Sequence, residues 1–184
     1  MSKLQLVVID KDIPADAISC GEKSIDALMQ QAYPSTLFKQ GRAYNILIDD
    51  KLIGSCMIRF VSLYDKDAEY YVGHKDYTAL EISYLAIDSR IQGHGYGRLV
   101  LKQLILLARR IADDLPVRFL VLDAFKDKEE WYTSAGFKIY PKKKDLRYPG
   151  TLPMRMDLID KKLAENYAQS FMSVSYTHLR AHET

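Results

Sequence analysis

The sequence predicts a mixed α/β fold in a single domain. First, 184 residues are enough for one compact core and too few for two typical domains. Second, hydrophobic residues make up 48% and charged residues 27% of the chain, which is typical of a globular protein. Third, the middle of the chain is predicted to run strand, glycine loop, helix, strand, and such short connections favour a right-handed parallel crossover. We therefore expect one domain over residues 1–172.

The first elements are a strand and a short helix. Leu4–Ile9 is a β-rich run and is predicted to be the first strand. Ser24–Gln31 carries apolar residues at helical spacing, with Ser24 as the expected N-cap. Proline lacks the N–H that a helix interior requires, so we expect Pro34 to end this helix.

A hairpin and a loop follow. The sequence predicts a hairpin with strands over Tyr44–Ile48 and Leu52–Val61, separated by a polar turn over 49–51. Tyr64–Thr78 is polar and rich in tyrosine, so we expect an exposed loop there.

The central unit begins with the apolar run Leu80–Ile87, which leads directly into a glycine cluster. Behind the glycines, Tyr96–Ala112 has an apolar face at helical spacing, and Val117–Leu122 is β-rich. A short helix over 129–135 and strands over 137–140 and 151–158 complete the predicted order, with Gly136 as the helix C-cap.

Composition and charge exclude several classes of protein. The net charge is +2, from 26 basic and 24 acidic residues, so the chain has no global attraction to nucleic acid, and the run Lys142–Lys144 is interpreted as a solvated loop. Cys20 and Cys56 form neither a disulfide framework nor a zinc pattern. No apolar run approaches the roughly 20 residues of a membrane helix, so we expect no membrane segment and a cytoplasmic location.

The last twelve residues differ from the rest of the chain. Ser173–Thr184 has no helical or strand period, and it resembles a translated sequencing-adapter tail. We expect a non-native, disordered tail over 173–184 that contributes nothing to the fold or the site.

The glycine cluster is the strongest candidate for a binding loop. Gln92–Gly97 lies between a predicted strand and a predicted helix, where backbone N–H groups and the helix dipole can hold an anion such as a pyrophosphate. A tight turn that needs glycine for backbone reasons alone is the alternative. A Rossmann fingerprint is excluded because Arg98 occupies its last glycine position, and no P-loop lysine follows.

These residues carry a family resemblance. Gln92-x-x-Gly95-x-Gly97 resembles the acetyl-CoA pyrophosphate motif of the GNAT acetyltransferases, and Leu85–Asp88 before it is similar to that family's cofactor-binding strand. Trp131–Phe137 matches the next family signature. The resemblance spans residues 4 to 158 and implies a central mixed, mainly antiparallel sheet with a splayed parallel strand pair, flanked by helices. The chain departs from the pattern at Phe125 and Lys128, where the family often has asparagine and alanine.

The resemblance also implies a cofactor site for acetyl-CoA as cosubstrate, with no metal. Backbone groups of Leu85, Ala86 and Ile87 would bind the pantetheine arm. The pyrophosphate would be held by the loop residues Gln92, Gly93, His94, Gly95, Tyr96, Gly97 and Arg98, mostly through their amides. His94 is then a loop donor rather than a base, and Arg98 contacts either a phosphate or solvent.

Acetyl transfer requires a base for the amine, an oxyanion donor and an acid for the leaving thiolate. By resemblance, Tyr132 is the acid and the N–H of Leu85 is the oxyanion donor, with packing as the alternative for Tyr132. Glu81 lies in an apolar strand, which favours a carboxylate base, although a solvent-facing glutamate remains open. Either Ser83 or Tyr84 points to the substrate, because they alternate faces.

The resulting hypothesis is an N-acetyltransferase that moves the acetyl group of acetyl-CoA to a primary amine of a small molecule, peptide or protein. Cys20–Leu28 and Leu152–Met156 also resemble parts of toxin-type GNAT proteins, which acetylate aminoacyl-tRNA and pair with an antitoxin. The other alternative is a CoA-binding module without activity. The expected partners are acetyl-CoA and an amine acceptor, a homodimer is left open, and tRNA and an antitoxin belong to the toxin alternative alone.

Overall fold

The computed structural model describes residues 3–71, 73–140 and 150–169. Within them, seven strands form one sheet in the order β1-β2-β3-β4-β5-β7-β6. The strands are β1 Leu4–Val8, β2 Arg42–Ile48, β3 Lys51–Tyr64, β4 Asp76–Ile87, β5 Phe119–Phe125, β6 Lys138–Ile139 and β7 Thr151–Asp157. The helices are α1 Lys23–Gln30, α2 Ala32–Leu37, α3 Tyr96–Asp114 and α4 Glu129–Thr133, and residues 161–169 are also helical.

The pairing confirms the predicted fold class. Neighbouring strands are antiparallel throughout, except that β4 and β5 run parallel. The long helix α3 connects these two strands, as expected for a parallel crossover. The sheet is therefore mixed and mainly antiparallel, with one parallel pair near its centre.

The first helix begins and ends differently from the sequence prediction. Glu22, not Ser24, is the N-cap of α1, and its carboxylate accepts hydrogen bonds from the backbone N–H and the hydroxyl of Ser24. The break between α1 and α2 comes at Gln31 rather than at Pro34. Pro34 lies in the first turn of α2, where a helix needs no N–H because no intrahelical acceptor exists there.

The hairpin of β2 and β3 closes through a two-residue turn. Asp49 and Asp50 both have positive φ, 49° and 63°, which matches the backbone of a tight hairpin turn. Both strands at the following loop are longer than predicted, so the loop shrinks to residues 65–75. The loop is also not wholly exposed, because Asp65 is fully buried.

Two of the buried hydrophobic clusters lie on opposite faces of the sheet. On one face, the buried side of α3, which includes Val100, Leu101, Leu104 and Ala108, packs against β4, β5 and β7. On the other face, α1 packs against β2, β3 and β4 through Met29 and its neighbours. The two faces of β4 are therefore covered by different helices, and this arrangement determines what can reach the strand from each side.

Two features of the sequence lie outside the described residues. They are the lysine run at 142–144 and the tail expected over 173–184. The single domain over 1–172 and the dispensable tail both stay predictions.

Candidate active site

The parallel strands β4 and β5 separate in the middle of the sheet. Their paired residues are Ala79 with Phe119, Leu80 with Leu120, and Glu81 with Val121. Beyond Glu81, each strand continues without pairing with the other, while β4 keeps β3 and β5 keeps β7 as neighbours. The backbone edge of β4 that faces β5 is therefore available there to a ligand, and Leu85, Ala86 and Ile87 lie along that edge.

A bulge in β4 determines which of the side chains of Ser83 and Tyr84 faces a cavity. Met57 and Ile58 on β3 pair with Tyr84 and Ile82, so Ser83 is the extra residue between them. Ser83 lines a cavity, whereas Tyr84 is buried and its hydroxyl lies 3.0 Å from the hydroxyl of Ser55. Of the two candidates, the structure points Ser83 toward the cavity.

The glycine loop enters α3 with its backbone exposed. Gly93 and Gly95 have φ of 82° and 83°, a left-handed conformation that other residues rarely adopt, and no atom lies within 4 Å of where a Cβ would be at either position. Gly95 is the N-cap of α3, and no side chain caps the helix. The first turn of a 19-residue helix is thus left without a side-chain cap, and free N–H groups at a helix start are the arrangement that binds anions.

Two side chains of the loop turn back onto the protein. The Nδ1 atom of His94 lies 3.0 Å from the carbonyl oxygens of Ile91 and Gln92. The Nε2 group of Gln92 donates to the carbonyls of Ile87 and Cys20, both at 2.9 Å. In the structure, Gln92 can therefore contribute only its backbone or its side-chain oxygen to a cofactor.

The start of α3 lies between the end of β4 and α4. A Cβ at Gly97 would meet Trp131 at 3.6 Å and Ile87 at 3.8 Å. Arg98 and Trp131 line a cavity of about 210 Å³ between the two helices, together with Lys102. Tyr96 is half-buried beside His94, with the two rings stacked at 6.2 Å. The three motifs singled out in the sequence therefore converge at one end of the splayed strands.

Tyr132 packs among aromatic rings on α4. Its ring meets Trp131 and Phe137 edge-on, with centroid distances of 4.7 and 5.8 Å. The N–H of Phe137 donates to the carbonyl of Tyr132 at 3.2 Å, which fixes the end of the short helix. Burial raises the pKa of Tyr132 to about 12, so the hydroxyl keeps its proton at neutral pH, as an acid must.

A cavity of about 380 Å³ opens on the α1 face of the splayed strands, and we call it the acceptor cavity. Its lining combines strand residues with the start of α1 and is formed by Glu22, Ser24, Ile25, Leu28, Met57, Arg59, Glu81, Ile82, Ser83, Asp123, Phe125 and Thr151. Three of these residues are carboxylates and one is a guanidinium. A lining of this charge suits an amine better than an anion.

Glu81 lies in this cavity and is not isolated. Arg59 is its cross-strand neighbour on β3, and the guanidinium Nε forms an ion pair with the Glu81 carboxylate. The hydroxyl of Ser83 also donates to that carboxylate, at 3.4 Å. The apolar strand predicted around Glu81 is thus polar on its cavity side.

The comparisons with known proteins decide the family. Residues 15–137, well over half of the chain, match the model of the Acetyltransferase (GNAT) family. The chain belongs to the GNAT acetyltransferase family. It is therefore an acyltransferase of a family that uses acetyl-CoA. A search among curated proteins finds no match to the sequence.

Solved structures of bacterial toxins share the fold. A bacterial toxin covers 92% of this chain and 97% of its own, with 16% identity and a TM-score of 0.72. A second structure is a tyrosine-to-phenylalanine variant of the AtaT toxin bound to the C-terminus of the antitoxin AtaR and to acetyl-CoA. It has 15% sequence identity and a TM-score of 0.65, and the match covers 89% of this chain and 97% of the AtaT chain. AtaT complexed with acetyl-methionyl-tRNAfMet has 16% sequence identity to this chain and a TM-score of 0.67. The match covers 83% of this chain and 94% of the AtaT chain.

In this GNAT acetyltransferase, sequence reasoning missed three charged residues of the acceptor cavity. Arg59 was missed because strand register is needed to bring it opposite Glu81. Asp123 lies on β5 beyond the last paired residue, and an alternating strand pattern could have placed it on the same face as Val121. Glu22 was passed over in favour of Ser24 as the helix cap.

Neither a cluster of metal-binding side chains nor a membrane-spanning helix is found in the described part of the chain. No group of three or more His, Cys, Asp or Glu side chains there could hold a metal ion. No described helix is long and apolar enough to cross a membrane.

Cys20 lies beside the glycine loop, but burial raises its pKa to about 11, so the thiol stays protonated and is a poor nucleophile.

Proposed function

We propose that this GNAT acetyltransferase moves the acetyl group of acetyl-CoA to a primary amine of a small molecule, peptide or protein by direct attack. The observation that carries the proposal is the two-sided opening between β4 and β5. The glycine loop and Tyr132 belong to the α3 side, and the carboxylate-lined acceptor cavity belongs to the α1 side. An amine entering from the cavity could reach a thioester held along the free edge of β4.

The proposed chemistry assigns one role to each group. Acetyl-CoA supplies an acetyl group activated as a thioester. The amine nitrogen attacks the carbonyl carbon, the N–H of Leu85 donates to the oxygen that gains negative charge, and Glu81 takes a proton from the amine directly or through water. When the carbon–sulfur bond breaks, the Tyr132 hydroxyl gives its proton to the sulfur.

The proposed cofactor contacts follow from the exposed backbone. The amides from Gly93 to Arg98 would hold the pyrophosphate at the start of α3, and the free edge of β4 would hold the pantetheine arm through Leu85, Ala86 and Ile87. These contacts need no particular side chain, which agrees with the way His94 and Gln92 turn back onto the protein.

A second candidate is acetylation of the amino group of aminoacyl-tRNA, with an antitoxin as partner. It is favoured by the shared fold with AtaT, which has been solved with acetyl-methionyl-tRNAfMet and with the antitoxin AtaR. The two candidates share the reaction and differ in the acceptor. A homodimer and a cytoplasmic location stay predictions under both.

An acetyl-CoA turnover screen across small amines, peptides and charged tRNA tests the proposal. We expect release of CoA together with an N-acetylated product identified by mass spectrometry. Acetylation of charged tRNA alone would select the second candidate. Binding of CoA without turnover of any acceptor would contradict both and leave a CoA-binding module.

A further inference from the structure

The chain segment at 19–22, before α1, is hydrogen-bonded to the residues after β4 and to the start of the glycine loop. The N–H of Ser89 donates to the carbonyl of Ser19 at 2.9 Å. The Nε2 group of Gln92 donates to the carbonyl of Cys20 and, with its other hydrogen, to the carbonyl of Ile87, both at 2.9 Å. One side-chain amide thus joins three parts of the protein: the segment, the strand and the loop.

The same segment builds the wall of the acceptor cavity. The Asp26 carboxylate on α1 accepts from the hydroxyl of Ser19 at 2.6 Å and from the N–H of Cys20 at 2.9 Å. Glu22, two residues after Cys20, caps α1, and its side chain lines the cavity together with Ser24. A shift of Cys20 would therefore be transmitted to the first turn of α1 and to the cavity wall.

We infer that Gln92 is a positioning residue for the acceptor side, whose side chain couples the cofactor loop to the acceptor cavity. This inference rests on the proposed function. Both Nε2 hydrogens are used on protein carbonyls, so the side chain has no N–H left to donate to a phosphate. The backbone of Gln92 belongs to the cofactor loop, whereas its side chain holds the segment that shapes the acceptor cavity.

Hydrogen–deuterium exchange of the full chain, with and without CoA, tests the coupling. In the parent protein, we expect CoA to slow exchange at 92–98 and also at 19–28. In Gln92→Met, which keeps the side-chain length and removes both donors, CoA should still protect 92–98 but no longer protect 19–28. Gln92→Asn, one methylene shorter, is the second variant should the first not fold.

Steady-state kinetics with the best acceptor from the turnover screen gives the second readout. Losing two ordinary hydrogen bonds predicts an acceptor KM raised roughly tenfold in Gln92→Met, with the CoA dissociation constant nearly unchanged. Gln103→Met is the matched control, because it makes the same substitution at an exposed residue of α3 outside the cofactor loop; it should preserve the CoA effect at 19–28.

The outcomes separate the inference from the proposed function. Parent protein that binds CoA without any change at 19–28 would overturn the inference alone. So would a tenfold loss of CoA affinity in Gln92→Met with an unchanged acceptor KM, since Gln92 would then serve the cofactor. Parent protein that does not bind CoA would refute the proposed function, and the inference with it.

Discussion

Arg59 and Glu81 lie directly opposite each other on β3 and β4, and their side chains form an ion pair at the wall of the acceptor cavity. The Glu81 side chain is 13% exposed and that of Arg59 is 37% exposed. The carboxylate therefore has a fixed direction and a partner that balances its charge. A substrate amine that approaches Glu81 has to share it with Arg59.

If Glu81 is the base, Glu81→Gln should lower turnover by about 10²-fold near neutral pH. The defect should shrink as the pH rises, because more of the amine is then already neutral and needs no base. The measurement is the pH profile of kcat/KM for parent and variant. A defect of equal size at every pH would show that Glu81 only positions the acceptor.

Gly95→Val should abolish CoA binding while the protein stays folded. Gly95 has φ of 83° at the start of α3, and a side chain would project into the open space proposed for the pyrophosphate. Gly73→Val is the matched control, since Gly73 has φ of 74°, is equally uncrowded and lies in the loop over 65–75. Calorimetric CoA binding to both variants checks the prediction, and unchanged affinity in Gly95→Val would refute the loop assignment.

Asp65 should be among the most important polar residues for stability. Its side chain is completely buried, pairs with Arg155, and accepts from the N–H of Asp67 at 2.9 Å. Asp65→Ala should lower the free energy of unfolding by about 3–5 kcal/mol, because it leaves the Arg155 charge without its partner in a mostly buried site.

Urea unfolding provides the measurement for Asp65, and Asp127→Ala is its control. Asp127 pairs with Lys128 on the surface, with 70% and 58% of the two side chains exposed, so its loss should cost less than about 1 kcal/mol. Equal effects of the two variants would contradict the role assigned to the buried pair.

The sequence was sufficient for the elements that carry strong periodicity. The apolar run of β4, the apolar face of α3 and the β-rich run of β5 predicted the central crossover, and the glycine spacing predicted the loop between them. The predicted ends of the helices were wrong where two neighbouring residues could play the same role or one residue could play two roles. Glu22 and Ser24 can both cap a helix, and a proline such as Pro34 can either end a helix or occupy its first turn.

Contacts between residues that are far apart in the chain could not be predicted from the sequence. Arg59 meets Glu81 only because the bulge at Ser83 sets the register of β3 against β4, and a bulge has no reliable signature in one sequence. Asp65 was hidden within a polar stretch that looked exposed. The two bonds of Gln92 join residues 72 and 5 positions apart, and no local pattern predicts such a pairing.

The most direct test of the proposed chemistry concerns Tyr132. Burial raises its pKa to about 12, so the proton needed by the leaving sulfur should be present up to a pH of about 10, and no alkaline loss of activity below that pH should come from this group. Tyr84→Phe is the matched control, because Tyr84 is also a buried tyrosine but its hydroxyl lies against Ser55. The control should retain turnover.

The decisive measurement is the turnover of Tyr132→Phe at saturating acetyl-CoA, together with its CoA affinity and melting temperature. Phenylalanine keeps the packing against Trp131 and Phe137 and removes only the acidic proton. We predict a fall in turnover of about 10²- to 10⁴-fold with CoA affinity and melting temperature nearly unchanged. Turnover equal to that of the parent would contradict the account, because Tyr132 would then be a packing residue and the proton would come from another group.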